Sequence, residues 1–382
     1  MQTRILESLE QVSRHQWNRL VRDNNPFLSH EFLSALERHG CVGERTGWLP
    51  HHLACFDESN RLVGATPLYL KTNSYGEFVF DWSWAQAYER YDLPYYPKLV
   101  SAVPYTPATG DRLLVAPGQD RQTIVRCIAE QAREETRRLG CSSLHWLFPM
   151  AAEIDTLQDL GLMKRVGYQF HWHNPGYRDF DDFLDTLTAK KRKNIKRERR
   201  QVRESPLELL CLQGSEANDA QWRTFHDFYR STFYRLGGVP TLSLSFFQEI
   251  ATTLGDQILL VLARSHNRDV AGAISFQSNT ILYGRHWGCH ENYDGLHFET
   301  CYYLGIEHCI RHRLITFEPG AQGEHKLSRG FLPTITYSAH WLTNPVFSKA
   351  VADFLDRETP AVYDYVDALT HRSPYRAQGF TQ

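Results

Sequence analysis

The sequence predicts an α/β protein built as two units, and three observations carry that prediction. The chain has 382 residues, more than one hydrophobic core usually serves. Apolar periodicity switches repeatedly between the strand period of 2 and the helix period of 3.6. Beyond about residue 175 the pattern begins again, which divides the chain into 1–175 and 176–382.

In the first unit, alternation predicts strands near 3–8, 50–56, 61–71, 76–82 and 142–148, with helices near 14–22, 30–39 and 120–139. Ser29 precedes the helix HEFLSALERHG as an N-cap, and Gly40 closes it. The second unit opens with a long helix over 179–205, starting after Asp179 and stopping at Pro206. Strands follow at 207–212, 257–264, 269–278, 280–287, 314–318 and 334–340, and helices at 219–236, 243–254, 296–312 and 345–357. Segments 62–85 and 269–288 share a Gly-Ala pair, an alternating strand, a polar turn and an aromatic stretch, which reads as a weak internal repeat.

Composition excludes several classes. A formal charge of −2 gives the whole protein no attraction to nucleic acid or anionic membrane, so any such affinity has to be local. Eight cysteines, Cys41, Cys55, Cys127, Cys141, Cys211, Cys289, Cys301 and Cys309, contain no C-x-x-C pair, which fits reduced, packed thiols. The opening MQTRILESLEQVSRHQW lacks a signal-peptide core and no later run is long enough to span a bilayer, so a cytoplasmic protein is expected. Serine-hydrolase elbows, Walker loops and dinucleotide fingerprints are missing. The 49 aromatic residues suit broad cores or an aromatic-lined groove.

Two clusters stand out. FEPGAQGEHKLSRGF (317–331) follows a predicted strand end, where α/β proteins commonly bind ligands. Glu318, Glu324 and His325 are its candidate proton acceptors. Gly320 and Gly323 let backbone approach a substrate, with Gln322 between them, and Lys326 and Arg329 hold a carboxylate or phosphate. The competing reading is a surface turn with a Glu–Lys or Glu–Arg pair. Tyr283, Arg285 and Trp287 share one strand face by alternation and, with His297, Glu299 and Tyr302, form a candidate acceptor groove in which Glu299 is a rival base. Core packing of these aromatics is the alternative. Asp81 and Trp84 hold the equivalent place in the first unit, as substrate wall or as packing.

The second cluster is AKKRKNIKRERRQVR (189–203), nine basic residues against one Glu, which leaves the rest of the chain at about −10. Lys190, Lys191, Arg192, Lys193, Lys196 and Arg197 make it a candidate polyanion site for a tRNA acceptor stem, a nucleotide-linked precursor, a coenzyme A phosphate or an acidic lipid surface touched peripherally. His308 and His312 have helical metal-pair spacing, but no third ligand follows from the sequence and no metal is expected.

RLLVAPGQDRQTIVRCIAEQAREETRRLGCSSLHWLF (112–148) resembles the strand, loop, helix and strand with which GNAT acyltransferases bind coenzyme A. Its loop, Pro117 to Thr123, keeps one glycine and places Asp120 where the pyrophosphate would lie. DDFLDTLTAKKRKNIKRERRQV (181–202), WRTFHDFYRSTFYRLG (222–237) and 297–331 resemble the Fem-type aminoacyltransferases of peptidoglycan bridges, which join two GNAT-like domains. With NPFLSHEFL, YGEFVFDWSWA and FEPGAQGEHK, the whole chain is similar to the FemAB-like predicted N-acyltransferases. The resemblance implies tandem GNAT-like domains, each a mixed, mostly antiparallel sheet flanked by helices. It also implies transfer of an acyl or aminoacyl group to an amine, such as one on a cell-wall precursor, with aminoacyl-tRNA (the Fem pattern) or acyl-CoA (the GNAT pattern) as co-substrate. A catalytically silent module that binds a nucleotide- or lipid-linked precursor is the alternative.

Overall fold

The computed structural model describes residues 1–321 and 323–376. The candidate Gln322 lies outside the described residues. The chain forms two compact units: Met1–Tyr168 with Ile335–Tyr365, and Gln169–Thr334 with residues 366–376. A single cut at 175/176 lacks the return of 335–365 to the first unit, because local periodicity carries no record of which distant strand a segment pairs with.

In the first unit, strands β1 (Gln2–Leu6), β3 (His52–Phe56), β4 (Leu62–Thr66) and β7 (Leu114–Val115) pair antiparallel in the order β1-β3-β4-β7. The short strand β2 (Trp48–Pro50) pairs with β5 (Leu68–Lys71), which pairs with β6 (Lys98–Ser101); β6 runs parallel to β8 (Ser143–Leu147). Ser338–Leu342 then pairs antiparallel with β8. Helix Arg121–Arg138 lays Ile124, Val125, Ile128 and Ala132 into a core with Leu53, Leu144 and Trp146. Those positions follow the helical period, which is why this helix was legible in the sequence.

In the second unit, β9 (Met163–His173) enters from the first, and β10 (Glu208–Gln213), β11 (Ile258–Ser265), β12 (Arg268–Gln277), β13 (Ile281–Cys289) and β14 (Thr316–Glu318) follow. The order is β10-β11-β12-β13-β14-β9, antiparallel except for the parallel pair β13–β14. Helix Asp219–Arg235 rests directly on β13: a Cβ at Gly288 would lie 2.0 Å from the Phe228 carbonyl oxygen. The chain leaves this unit through β15 (Leu332–Leu342) and re-enters it along helix Pro345–Thr370, longer than the expected 345–357.

Several expectations need correction. The predicted strand 76–82 is irregular and leads into helix Trp82–Arg90. Its alternation is real but reversed in polarity: Glu77 and Asp81 turn inward to Lys98, while Tyr75, Phe78, Phe80 and Trp82 are exposed. The repeat does not extend to topology, because β4 and β5 enter different pairings whereas β12 and β13 form a hairpin. The helix expected over 179–205 is two, Phe180–Thr186 and Ala189–Glu204. At the break Leu187 is extended, the Thr188 N–H donates to the Pro374 carbonyl (2.9 Å), and the Arg376 N–H donates to the Thr186 carbonyl (2.9 Å). A segment almost two hundred residues away thus takes the backbone groups that a continuous helix would use. Helix 296–312 contains a π-helical turn, Glu299–Tyr303, between Leu296–Phe298 and Leu304–His312. Helix Ala151–Asp159 and most of β9 were not anticipated.

Candidate active site

The polar segment 317–331 begins on β14 and continues through Gly320 and Gly323, both at positive φ (94° and 116°), into a 3-10 helix, Glu324–Arg329. Glycine is needed at both places because a side chain there would be strained, and at Gly323 a Cβ would also strike the His325 ring at 2.4 Å. Glu318 is buried at the end of β14, in register with buried Tyr283. A bulge in β13 opposite Ile274 and Ser275 makes Arg285 the extra residue, so the expected face shared by Tyr283, Arg285 and Trp287 is broken there. Burial pushes the Arg285 guanidinium down to about 10 even though the Glu318 charge favours its charged form.

Lys326 is buried, and its Nζ donates to the Gly320 carbonyl oxygen at 2.7 Å. Burial, and to a smaller degree Arg285, brings its pKa down to about 8, so it remains largely an ammonium at neutral pH. His325 stands next to it at the surface, its Nε2 2.9 Å from the Tyr302 hydroxyl and its ring bordered by His297, Phe298 and Tyr302 at centroid distances of 6.4, 6.0 and 5.9 Å. Partial desolvation, then the charges of Arg329 and Lys326, hold His325 below the ordinary histidine value and therefore neutral at pH 7. Burial takes His297 down to about 4, and its ring meets Trp287 edge-on at 5.4 Å.

Arg329 closes the turn. Its Nη1 donates to the His325 carbonyl (2.9 Å), its Nη2 to Glu198 (2.9 Å), and its guanidinium lies 3.4 Å above the Phe298 ring. The structure thus brings Lys326, His325, Tyr302, His297, Trp287 and Arg329 together, with Glu318 and Arg285 behind them. It does not bring Glu299 into the group: both its oxygens accept from Arg199 at 2.8–3.1 Å, which occupies the lone pairs a base would use. Glu324 is exposed and faces Arg372 at 3.6 Å. Asp81 and Trp84 belong to the first unit, both buried, Asp81 bonded to Lys98 and to the Tyr95 hydroxyl. His308, half of the suggested metal pair, bonds Gln277 at 2.6 Å and stacks on His312.

Basic helix Ala189–Glu204 sorts its residues by face. Ile195, Glu198, Arg199 and Val202 follow helical spacing along the inward side. Lys190, Lys193, Lys196 and Arg197 are exposed, and Lys191 and Arg192 are partly so. Only Arg192 and Lys196 of these six have ion-pair partners among the described residues, the solvent-exposed Asp185 and Asp181, each at 3.1 Å. Such pairs contribute little, so the outer face stays strongly positive.

Sequence reasoning missed Glu198 and Arg199, and reads His171 and His173 as alternate, structural or peripheral positions on a strand end. Burial takes His171 down to about 3, with His173 and Lys326 adding to that shift, and His171 bonds Gln169 at 3.2 Å. The alternation of Gln169, His171 and His173 in QFHWH was the available signal. For Glu198 the signal was its being the single acid in a basic run.

Two α/β units, each a mostly antiparallel sheet with flanking helices, define the tandem GNAT fold. FemX is similar over 92% of this chain and 100% of its own, with a TM-score of 0.55 at 10% identity. The C-terminal domain of a putative lysylphosphatidylglycerol synthetase from Agrobacterium fabrum is similar over 89% and 95%, with a TM-score of 0.51 at 11% identity. A tandem GNAT protein from the clavulanic acid biosynthesis pathway is more weakly similar, with a TM-score of 0.47 at 14% identity over 90% and 99%. The FemAB-like family model, described as peptidoglycan biosynthesis/recognition, matches residues 8–377, and the chain belongs to that family. The family description ties the chain to peptidoglycan biosynthesis or recognition, and the solved structures share its fold. No curated protein matches the sequence. Among the described residues no helix is long and apolar enough to cross a membrane.

Coenzyme A, which the GNAT fold implies, fits poorly at the loop before helix Arg121–Arg138. The Asp120 carboxylate already accepts from the Gln122 and Thr123 N–H groups (3.1 and 3.4 Å), the donors a pyrophosphate would need. The corresponding loop of the second unit, 290–295, contains Glu291 and Asp294. The first loop does not suit a pyrophosphate, and in the second Glu291 accepts from Arg268 and the Tyr293 hydroxyl.

Proposed function

We propose that the protein transfers an aminoacyl group from a polyanionic carrier, an aminoacyl-tRNA, to an amine on a peptide-bearing cell-wall precursor. The observation that carries this reading is the buried Lys326 ammonium beside a neutral, surface-facing His325, on the turn that Arg329 ties to the basic helix. Both loops that a coenzyme A donor would use carry acids, whereas the outer face of the basic helix suits a phosphate backbone.

In this reading the acceptor ammonium first gives a proton to His325, whose unprotonated ring is the form present at neutral pH. The freed amine attacks the ester carbonyl carbon, forming the new C–N bond and placing negative charge on the carbonyl oxygen. Lys326 stabilises that oxyanion. The ester C–O bond then breaks, the leaving oxygen takes the proton held by His325, and the attacking nitrogen releases its second proton to water, leaving the neutral amide. Glu318 and Arg285 hold the strand end behind the turn, and Trp287, His297 and Tyr302 line the acceptor side. Asp81 and Trp84 are not assigned a step.

The test is to incubate the purified protein with an aminoacylated acceptor-stem RNA hairpin and a lysine-containing muramyl peptide and look for the new amide by mass spectrometry. Wild type forms it and Lys326→Met does not. Amide formation with acyl-CoA in place of the charged RNA overturns the choice of donor. Tight RNA binding without turnover in any donor–acceptor combination points instead to the silent binding module.

A further inference from the structure

Helix Ala189–Glu204 carries its one inward acid next to its one inward base, and the two make different attachments. Arg199 is fixed to the segment that contains the π-helical turn: Nε and Nη2 to Glu299, Nη1 to Glu307 at 2.7 Å, with the guanidinium 4.3 Å above the Phe180 ring. Glu198 reaches two places at once. Its Oε2 accepts from the Tyr303 hydroxyl, and its Oε1 accepts from Arg329. Arg329 in turn holds the His325 carbonyl, and the His325 ring meets Tyr302, the neighbour of Tyr303. The result is a closed ring of hydrogen bonds, Glu198–Arg329–His325–Tyr302/Tyr303. It passes through the π-helical turn, where consecutive tyrosines serve different partners.

The ring has little slack. Arg329 is buried and planar, sits 3.4 Å over the Phe298 ring, and has both terminal nitrogens engaged. A Cβ at Gly295 would lie 3.2 Å from the Glu198 carbonyl oxygen, so the helix backbone at this point also touches the start of the segment bearing the π turn. A displacement of the helix at Glu198 is therefore passed to the main chain of His325. The outer face of the same helix is the positive surface described above.

We infer that Glu198 is a positioning residue that links the basic helix to the His325–Lys326 turn, so that an RNA acceptor stem held on the outer face resets the turn. The inference rests on the proposed use of a polyanionic donor. Glu198 touches neither donor nor acceptor.

The experiment uses the full chain with 15N-labelled histidine and an uncharged acceptor-stem RNA hairpin, with the His325 resonances identified by their loss in His325→Gln. In wild type the hairpin shifts the His325 ring resonances and their titration midpoint. Glu198→Gln binds the hairpin with the same salt dependence but loses that shift, because the neutral amide no longer anchors Arg329. A direct phosphate field would act equally in both proteins, so an equal shift in Glu198→Gln overturns the link. Binding to wild type with no shift at His325 overturns it too, and both results leave the transferase reading standing. Failure of the hairpin to bind wild type removes the polyanion reading and this inference together. Should Glu198→Gln fold poorly, Arg329→Lys takes its place: a single ammonium does not span Glu198 and the His325 carbonyl, so the shift is lost there as well, and its retention overturns the link.

Discussion

Both units bury a cluster of charges, and they bury it in opposite ways. In the first, Lys98 is fully enclosed among Glu77 (2.8 Å), Asp81 and Ser74 (2.9 Å), with Tyr95 donating to Asp81 at 2.6 Å. Burial alone would raise the Asp81 pKa, but Lys98, His145 and the hydrogen bonds from Lys98 and Tyr95 bring it down to about 2. Each charge there answers another within the cluster. In the second, Lys326 has a carbonyl for a partner, and the cluster opens to solvent at His325. Enclosed and compensated charge fixes structure, whereas a buried charge with no counter-ion among the described residues, beside an open edge, is available to a charge that develops during a reaction.

Substitutions should separate the two regions. The largest expected effect is on stability: Lys98→Met removes the cation bonded to both acids, leaving Asp81 buried without it and Glu77 with only Lys71 at 4.0 Å, and should cost about 3–5 kcal/mol in chemical denaturation. A change of under about 1 kcal/mol would show that the first cluster is not enclosed, and the contrast would fall. Lys326→Met should lower kcat by a factor of about 10²–10³, the loss expected for an oxyanion donor. A drop in stability as large as that of Lys98→Met, with kcat intact, would make the two clusters equivalent.

The pH profile sharpens the comparison. In the proposed mechanism His325 acts unprotonated, so the rate should fall as pH drops through its pKa, below the ordinary value of about 6.5. The proposed oxyanion role needs Lys326 protonated, so the rate should fall as pH rises through about 8. His325→Ala should lose about 10²-fold in rate at neutral pH and abolish the acid limb while sparing the alkaline one. Survival of the acid limb in that variant would assign the proton acceptor elsewhere. The smallest effect is expected at the surface. Reversing Lys190, Lys193 and Arg197 to Glu should leave the melting temperature nearly unchanged. The same variant should reduce the salt slope of RNA binding by roughly 0.7–0.9 for each phosphate that is no longer neutralised; an unchanged slope would remove the helix from the binding surface.

Much of this was legible in the sequence because it is local. Ser29 caps its helix through the Phe32 N–H and Asp179 through the Asp182 N–H, as their side chains dictate. The turn at 320–330 announced itself through glycines beside both signs of charge. What failed was of another kind. The break at Leu187–Thr188 depends on residues 374–376, the retirement of Glu299 as a base depends on Arg199, and the inward turn of Glu77 and Asp81 depends on Lys98.

By itself, then, the sequence determined the α/β character, the positions of most helices and strands, the concentration of positive charge in one helix and the family, since periodicity, caps and charge runs act within a few turns of the chain. The tertiary structure alone decided which charges compensate one another, which face of the basic helix looks inward, and that 335–365 returns to the first unit. Those outcomes depend on pairing between segments far apart in the chain, where the low dielectric of the interior, rather than local propensity, sets the preferred partner.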